Sequence, residues 1–292
     1  MKNTKTRTLL LLHLAVFLAG WTGVFGRLIS LDGLPLVWYR VLVSLPSMLV
    51  VLALTGRLHR SARSAALRCA GLGVLLSLHW VAFYESIQAS NVSVGVACIA
   101  TTCFFSSLFE PILTGRRIQW VELLISFIAI AGILLIFSLD VRYRTGILWG
   151  LASAAVYSVF SILNVRAGLK TREDSPTMLL WELVGSVAFL SLLVPLVALL
   201  RGEAIPLPAK SDIWGLVVLG SVLTIVPFLL QIHALRHLSA FTVNVAYNLE
   251  PVYSIIFAAI LFGETREVGP SFWMGLSLIV LSVWLQTRRV RR

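Results

Sequence analysis

Charged residues are scarce in this chain of 292 residues. Asp, Glu, Lys and Arg make up 13% of the sequence, whereas they make up about 25% of an average soluble domain. Hydrophobic residues account for 58%, and the mean hydropathy is +0.92. Such a chain has too few polar side chains to cover a water-exposed surface. The scarcity argues against a soluble globular protein and predicts a protein whose solvent is the lipid bilayer.

Sequence signatures of enzymes and of ATP-driven machines are also missing. We find no HExxH, no GxSxG, no Walker motif and no carboxylates clustered with metal-ligand spacing. The three cysteines, Cys69, Cys98 and Cys103, lack such spacing too and are interpreted as apolar packing residues. These absences disfavour an intramembrane enzyme, argue against direct ATP coupling, and predict no cofactor and no metal.

Long apolar runs occupy most of the sequence. A transmembrane helix needs about 20 mostly apolar residues, and Pro, Gly or charged residues mark the breaks between the runs. The pattern predicts an all-α membrane protein with ten transmembrane helices. The predicted spans are 8–28, 34–55, 66–88, 91–114, 119–138, 145–167, 176–200, 211–234, 239–262 and 269–287.

The formal net charge of +11 would suggest nucleic-acid binding in a soluble protein. Here Lys and Arg lie almost entirely between the apolar runs, so we interpret them as topology signals and predict no nucleic-acid partner. If the amino terminus is inside, 17 of the 24 basic residues are cytoplasmic and six are outside, with Arg40 inside the second span. This bias predicts a bacterial cytoplasmic (inner) membrane protein with both termini in the cytoplasm.

The two halves of the sequence resemble each other. A shift of 148 residues aligns FEPILTG (Phe109–Gly115) with FAAILFG (Phe257–Gly263), and four of these seven positions are identical. Each half has five predicted spans, an odd number, so the second half must enter the membrane from the opposite face. We therefore predict two inverted five-helix repeats, 1–140 and 141–292, with a binding site near the membrane midplane between them.

Several short motifs are similar to those of the EamA family in the drug/metabolite transporter superfamily. The motifs are ALRHLSA (Ala234–Ala240), LEPV (Leu249–Val252), LFGE (Leu261–Glu264), YESIQASNVS (Tyr84–Ser93), and Pro35 with Arg40 early in the second span. The resemblance implies a ten-helix inverted-repeat transporter with a central cavity, commonly an exporter of amino acids, other metabolites or drugs.

The chain departs from the family pattern in its first half. Arg116 stands where the family has a glutamate, and Glu110 lies near a span end whereas Glu250 lies within its span. A role for Glu250 therefore cannot be transferred to Glu110, and the halves are expected to be functionally unequal.

Polar residues at bilayer depth provide the candidate site residues. A central charge costs about 2.5–3.5 kcal/mol on insertion scales, so such a residue suggests a function, although it can also join helices by hydrogen bonds. In the sixth span, Ser153, Tyr157, Ser161 and Asn164 share one face. Lining of a cavity and packing between helices both remain open for this stripe.

The ninth span carries a second polar face. Asn244, Tyr247, Asn248 and Pro251 share it, and Glu250 lies on its flank. Pro251 lacks an N–H, which would free the carbonyl of Tyr247 and kink the helix. A substrate or gating element and a purely structural kink are the two interpretations.

Arg40 stays protonated, so at bilayer depth it needs a carboxylate or backbone carbonyls beside it, and Glu182 or Glu250 are the candidate partners. A structural ion pair and capture of a substrate carboxylate are both open. His79 is either a proton carrier or a structural hydrogen-bonding residue. The predicted substrate cavity comprises Trp21, Arg40, His79, Tyr84, Tyr157, Asn164, Glu182, Gln231, Asn244, Tyr247, Asn248 and Glu250, with Pro227 and Pro251 as gating or kink positions.

These features predict a secondary transporter that exports amino acids or related small metabolites by alternating access. Its expected partners are a small organic solute and the lipid bilayer, with protons as the candidate coupling ion, and it is expected to be a monomer or a homodimer. The nearest alternative is a multidrug exporter, favoured by a mostly apolar and aromatic cavity. A membrane scaffold or sensor without transport activity and an intramembrane enzyme are the remaining alternatives.

Overall fold

The computed structural model describes residues 2–115, 117, 119–137, 143–171, 173–235, 246–247, 249–263 and 270–290. The regular secondary structure in these residues is helical, without a strand. A π-helical segment, Val218–Val222, joins two of the helices. The helices are α1 (Lys2–Leu28), α2 (Gly33–Leu54), α3 (Arg63–Gln88), α4 (Val92–Ile99), α5 (Thr102–Thr114), α6 (Trp120–Phe137), α7 (Arg144–Thr171), α8 (Ser175–Arg201), α9 (Lys210–Val217), α10 (Leu223–Leu235), α11 (Glu250–Phe262) and α12 (Pro270–Val290).

Seven stretches of helix are long and apolar enough to cross a membrane. Their ends lie within a few residues of seven predicted spans, with α4 and α5 forming one stretch and α9, the π segment and most of α10 another. Three shorter apolar helices, Leu123–Gly132, Glu250–Phe262 and Trp273–Ser282, lie inside the other three predicted spans. The chain is therefore a multi-pass helical membrane protein, while the number of ten spans stays a prediction.

Helix ends follow local sequence signals. The Asn91 and Asp174 side chains accept hydrogen bonds from the backbone N–H groups of Val94 (2.8 Å) and Thr177 (3.1 Å), so they cap the starts of α4 and α8. Gly115 and Gly263, the last residues of the two aligned heptapeptides, adopt φ values of 74° and 67° after α5 and α11. Glycine suits these left-handed positions because it has no Cβ.

The fourth predicted span is interrupted, which the sequence analysis did not anticipate. Between α4 and α5, Ala100 and Thr101 donate their backbone N–H groups to the carbonyls three residues earlier, at 3.1 and 3.0 Å. The Thr101 hydroxyl also donates to the Cys98 carbonyl at 2.6 Å. This side-chain bond competes with helical pairing, so the span bends without a proline.

The helices pack in matched pairs across the two halves. Helix α3 packs against α7 and α8, while α10 packs against α1 and the π segment packs against α2. Similarly, α4 and α5 contact α7, whereas α11 contacts α1, and α6 packs against α12. The largest buried apolar cluster lies between α2, α3, α8 and the π segment. Each contact between the first and second halves has a counterpart in which the halves exchange roles. Two inverted repeats would produce this pattern, although the repeat itself stays a prediction.

Two helix crossings bring backbones into direct contact. Where α3 meets α8, a Cβ on Gly73 would lie 2.0 Å from the Glu182 carbonyl oxygen, and one on Gly185 would lie 1.9 Å from the Ala70 carbonyl oxygen. Where α2 meets the π segment, a Cβ on Gly220 would lie 2.7 Å from Val43 Cβ. Glycine is required at both crossings because any side chain would force the helices apart.

The loops form two groups at opposite ends of the molecule. At one end, His59 contacts Glu173 at 3.0 Å and Trp181 Nε1 donates to Ser61 Oγ at 3.0 Å. At the other end, Ser30 Oγ donates to Asp212 Oδ2 at 2.5 Å. The end of α2 therefore lies beside the start of α8, the start of α2 lies beside the residues that follow α8, and these two helices run in opposite directions.

Candidate functional site

A buried arginine lies at the centre of the polar residues. Arg40 on α2 is 4% exposed, and it donates from NH1 to the Tyr84 hydroxyl (2.9 Å) and from Nε to Thr224 Oγ1 (3.0 Å). Its guanidinium carbon lies 4.0 Å from the ring centre of Trp80, a cation–π contact. Because a guanidinium has five N–H donors, three donors remain without a partner in the described part of the chain.

The π segment orients Thr224 toward this arginine. In it the Leu223 N–H bonds to the Val218 carbonyl, five residues back. The Thr224 hydroxyl donates to the Leu219 carbonyl at 2.7 Å, which leaves its oxygen lone pairs to accept from Arg40. Such π turns insert one residue into a helix and frequently occur at functional sites. Thr224 is a site residue that the sequence analysis missed, because the inserted residue changes which face the side chain occupies.

Glu250 begins α11, close enough to Arg40 for their charges to interact. No nitrogen of Arg40 lies within 4.0 Å of its carboxylate, and no described residue donates a hydrogen bond to it. The expected direct pairing of Arg40 with Glu182 or Glu250 is therefore wrong, because two hydroxyl groups solvate the guanidinium instead. Glu250 remains a partly buried carboxylate that faces a cation without a direct bond.

Pro251 lies in the first turn of α11 rather than within a continuous helix. The missing proline N–H costs nothing there, because the first N–H groups of a helix have no intrahelical acceptor. Pro251 thus marks the start of a helix at Glu250, and the gating or kink role predicted for it stays a prediction. The expected neighbours Asn244 and Asn248 lie outside the described residues.

His79 on α3 is bonded to α7. The Ser153 hydroxyl donates to the His79 carbonyl at 2.9 Å, and His79 Nδ1 lies 3.1 Å from the Ser153 carbonyl and 2.9 Å from Ser153 Oγ. Since the carbonyl can only accept, Nδ1 carries a proton in this arrangement. The imidazole also packs on Tyr157, with 4.6 Å between ring centres. His79 therefore joins two helices, which is the structural interpretation of this residue.

Two further predicted residues form a separate pair. Asn164 on α7 donates from Nδ2 to Glu182 Oε1 on α8 at 2.5 Å. Glu182 is 3% exposed, and its charge acts on Tyr157, which is also within reach of Glu250. The polar stripe of the sixth predicted span thus contacts His79 at one end and Glu182 at the other.

The remaining candidates lie on α1 and around α10. The Tyr247 hydroxyl donates to the Pro227 carbonyl at 3.2 Å, and Glu250 is within electrostatic reach of Tyr247. The partly buried Gln231 side chain has no hydrogen bond within the described residues. Trp21 stacks on Phe257 with 4.5 Å between ring centres, so it contributes to packing of α1 on α11.

These residues form the candidate solute-binding site, whose role stays a prediction. Within the described residues, it brings together a cation with unused donors, an unpaired carboxylate and the aromatic rings of Trp80, Tyr84 and Tyr157. Comparisons with known proteins concern the family and the fold of the whole chain. UDP-uronic acid transporter 1 of Arabidopsis thaliana is 24% identical over 247 residues, which cover 82% of this chain and 80% of that protein.

A protein of known crystal structure shares the fold, with a TM-score of 0.63 and 15% identity over 95% of this chain and 96% of that chain. The EamA-like transporter family matches residues 6–138 and residues 144–288. These two matches account for nearly the whole sequence and confirm the resemblance seen in the motifs. The chain therefore belongs to the EamA-like transporter family.

Proposed function

We propose that this EamA family transporter exports amino acids or related small metabolites across the bacterial cytoplasmic membrane by alternating access. The substrate binds between two five-helix halves, 1–140 and 141–292, that rock against each other. The observation that carries the proposal is the facing of Arg40 and Glu250 without a direct bond between them. Two opposite charges that are not bonded to each other are suited to a solute bearing both charges.

An α-amino acid has a carboxylate and an ammonium group attached to the same carbon. The three N–H donors of Arg40 that have no partner among the described residues suit the carboxylate, because guanidinium–carboxylate bonds are among the strongest hydrogen bonds in proteins. Glu250 suits the ammonium group. The solute then enters the membrane interior with both charges compensated, which avoids the cost of an isolated charge at bilayer depth.

A multidrug exporter is the second candidate, supported by the aromatic rings beside Arg40 and near Glu250. Trp80, Tyr84 and Tyr157 present ring surfaces that would accept an apolar cation. Arg40 argues against this occupant, because a cation would have to displace or approach a buried guanidinium.

The Arabidopsis relative suggests anionic sugar nucleotides as competitors. Phosphate and carboxylate groups would bind Arg40, but Glu250 would repel a ligand that carries only negative charge. A sugar nucleotide should therefore compete weakly with a zwitterion for this site.

We also propose that both termini lie in the cytoplasm, because the basic residues are concentrated on that side. In this orientation the loops of His59 and Glu173 are cytoplasmic, and those of Ser30 and Asp212 are outside. Reporter fusions after Lys170 should report cytoplasm and fusions after Glu203 the exterior. The opposite result at both positions would reverse the assigned orientation.

Transport by purified protein in proteoliposomes tests the substrate. We expect counterflow of a radiolabelled amino-acid mixture, and we expect Arg40→Gln to lower it by about 10- to 100-fold, because a lost hydrogen bond to a charged group costs about 1.5–3 kcal/mol. Arg40→Lys should recover part of the activity. The matched control is Arg27→Gln, at an exposed arginine in the last turn of α1. Wild-type protein that transports cationic dyes but no amino acid would favour the multidrug exporter.

A further inference from the structure

Glu182 is a second buried carboxyl group. It does not belong to the substrate pair, that is, to Arg40 and Glu250, which we propose bind the substrate. It lies on α8, is 3% exposed, and receives a hydrogen bond from Asn164 Nδ2 at 2.5 Å. Among the described residues, no Lys, Arg or His nitrogen comes within 4.0 Å of its oxygens. In the described part of the chain, the carboxyl group therefore has one amide neighbour and no counter-ion.

The groups that face Glu182 are uncharged. From α3, its charge acts on the Cys69 thiol, and from α7 it acts on the Tyr157 phenol. Each of these two helices also carries an arginine near the level of Glu182, Arg68 on α3 and Arg166 on α7, and both arginines are exposed. The single charged residue of α2 is Arg40, which is bonded to Tyr84 and Thr224.

A bare carboxylate in this position would be costly. Burial removes the water that stabilises the charge, and one amide donor cannot replace it. Buried acidic groups without a cationic partner bind a proton instead. We propose that Glu182, together with Asn164, forms a proton-binding site that couples transport to the proton gradient.

The position of Glu182 explains how the proton would be exchanged. Its own backbone carbonyl forms the close contact with Gly73, at the crossing where α8 of one half meets α3 of the other. Rocking of the halves about this crossing changes the access of water to the carboxyl group. The O–H bond then breaks, its electron pair stays on the carboxylate, and the proton passes to water on the open side. Reprotonation from the other side reverses the step.

Tyr157 provides the link to the substrate pair. It lies within electrostatic reach of both Glu182 and Glu250. Loss of the Glu182 proton would add a negative charge beside Tyr157 and strengthen the binding of the substrate ammonium group. The proton and the substrate would then occupy the protein in turn, as export against an inward proton gradient requires. The coupling, though not the proton site itself, rests on the proposed transport function.

Infrared spectroscopy of the purified protein in lipid tests the proton site without any substrate. A protonated carboxyl group has a C=O stretch that is resolved from the amide and carboxylate bands. We expect wild-type protein to show this band at neutral pH and to lose it reversibly at alkaline pH. Glu182→Gln should remove the band, whereas Glu182→Asp should keep a titrating band at a shifted frequency.

Glu203→Gln is the matched control, because Glu203 lies in an exposed loop, and it should leave the spectrum unchanged. The proposal is overturned if the wild-type band is absent, or if Glu182→Gln retains it while Glu250→Gln removes it. Size-exclusion chromatography establishes that each variant is folded. If Glu182→Gln is not folded, the frequency shift of the band in Glu182→Asp and its persistence in Glu250→Gln assign it to Glu182.

Proteoliposomes with a pH dye inside test the coupling. Addition of the amino-acid mixture should move protons in wild-type and Glu203→Gln protein, and Glu182→Gln should reduce this movement at least tenfold. Accumulation that follows a sodium gradient and ignores a pH gradient would overturn the proton assignment. If wild-type protein transports no amino acid, the infrared result still decides the proton site, and the failure concerns the proposed substrate alone.

Discussion

The two helix crossings of this protein share one backbone design and carry opposite charges. At one crossing, Ser44 lies four residues after Arg40 and donates to the Gly220 carbonyl at 2.8 Å. At the other, Ser186 lies four residues after Glu182 and donates to the Gly73 carbonyl at 2.8 Å. A charged residue, a serine one turn later and a facing glycine therefore occur at both.

The crossings differ in the helix that faces the charge. Near Gly73, α3 is regular, and the Ser77 hydroxyl donates to the Gly73 carbonyl four residues back at 2.7 Å. Near Gly220, the chain is π-helical, and the Thr224 hydroxyl donates five residues back to Leu219. Only the second arrangement directs a hydroxyl at the charged side chain, namely Arg40.

This difference teaches how two similar halves can acquire separate tasks. Arg40 is held by two hydroxyl groups and an aromatic ring, so it stays ionised and suits an anionic group of the substrate. Glu182 has one amide neighbour, so it suits an uncharged, protonated state. One inserted residue in a helix, rather than a new fold, distinguishes the two environments.

The largest effect is expected from filling the glycine positions. Gly73→Ala and Gly185→Ala place a Cβ about 2 Å from backbone carbonyl oxygens of the facing helix. Overpacking costs about 1–3 kcal/mol and more where backbone must move, so we expect most of the folded protein to be lost. Gly220→Ala should cost less, since its Cβ would lie farther from its neighbours, 2.7 Å from Val43 Cβ and 2.8 Å from the Arg40 carbonyl oxygen.

Gly71→Ala is the control on α3, because nothing lies within 4 Å of a Cβ at that position. It should leave stability unchanged or slightly higher, as alanine favours helix by about 1 kcal/mol over glycine. Yield and thermal midpoint after size-exclusion chromatography measure all four variants. Equal yields and thermal midpoints for Gly73→Ala and Gly71→Ala would show that the backbones of α3 and α8 are not in direct contact at Gly73.

Replacing the hydroxyl groups beside the glycines gives an intermediate effect. Thr224→Val removes the acceptor for Arg40 Nε while keeping the shape, and we expect substrate affinity to fall about 10-fold or more, by 1.5 kcal/mol or above. Thr224→Ser should restore most of it. Ser77→Ala, at the matching position of the other crossing, removes a bond within its own helix and should change affinity little. Equal loss in both variants would mean that Thr224 only supports the helix.

The span boundaries were largely predictable because burial in lipid requires long apolar runs. Most of the seven long helical stretches end near a charge, Gly or Pro, whereas Gln88 and Val92 border a short turn that contains only Ala89, Ser90 and Asn91. The bend at Ala100 and Thr101 was not predictable in this way, since it depends on a hydroxyl bond rather than on a helix-breaking residue. The π segment around Gly220 likewise leaves no mark in hydropathy.

The candidate site was predictable by residue type but not by partner. Arg40, Glu182 and Asn164 could be identified because polar groups are rare at bilayer depth. Their pairing depends on helix rotation, and the opposite charge was assumed to select the partner of Arg40. Hydroxyl groups of Tyr84 and Thr224 replaced the carboxylates because the π segment turns Thr224 toward α2.

The two ends of the molecule offer a further comparison. At one end His59, in the loop after α2, contacts Glu173, in the loop after α7, and so joins the two predicted halves. At the other end α1 meets α9 through Ser30 and Asp212, which form a hydrogen bond that needs no protonated histidine. The contact of His59 with Glu173 therefore depends on the charge of a histidine, whereas the contact of Ser30 with Asp212 does not.

The smallest predicted effect concerns the pH dependence of this histidine contact. The Arg57 backbone carbonyl, followed by the Glu173 carboxylate and a smaller contribution of Asp174, raises the pKa of His59 above its ordinary value. Because the folded-state pKa is the higher one, the contact stabilises the fold fully below the ordinary histidine pKa of about 6.5. That stabilisation is lost as the pH rises through the raised pKa.

We expect the thermal midpoint of wild-type protein to exceed that of His59→Gln slightly at about pH 5.5 and to equal it at about pH 8.5. Glu173→Gln should behave like His59→Gln, and the double variant should show no added loss, whereas Ser30→Ala should lower the midpoint equally at both pH values. A wild-type advantage that persists unchanged at the higher pH would show that hydrogen bonding alone, and not the histidine charge, joins these two loops.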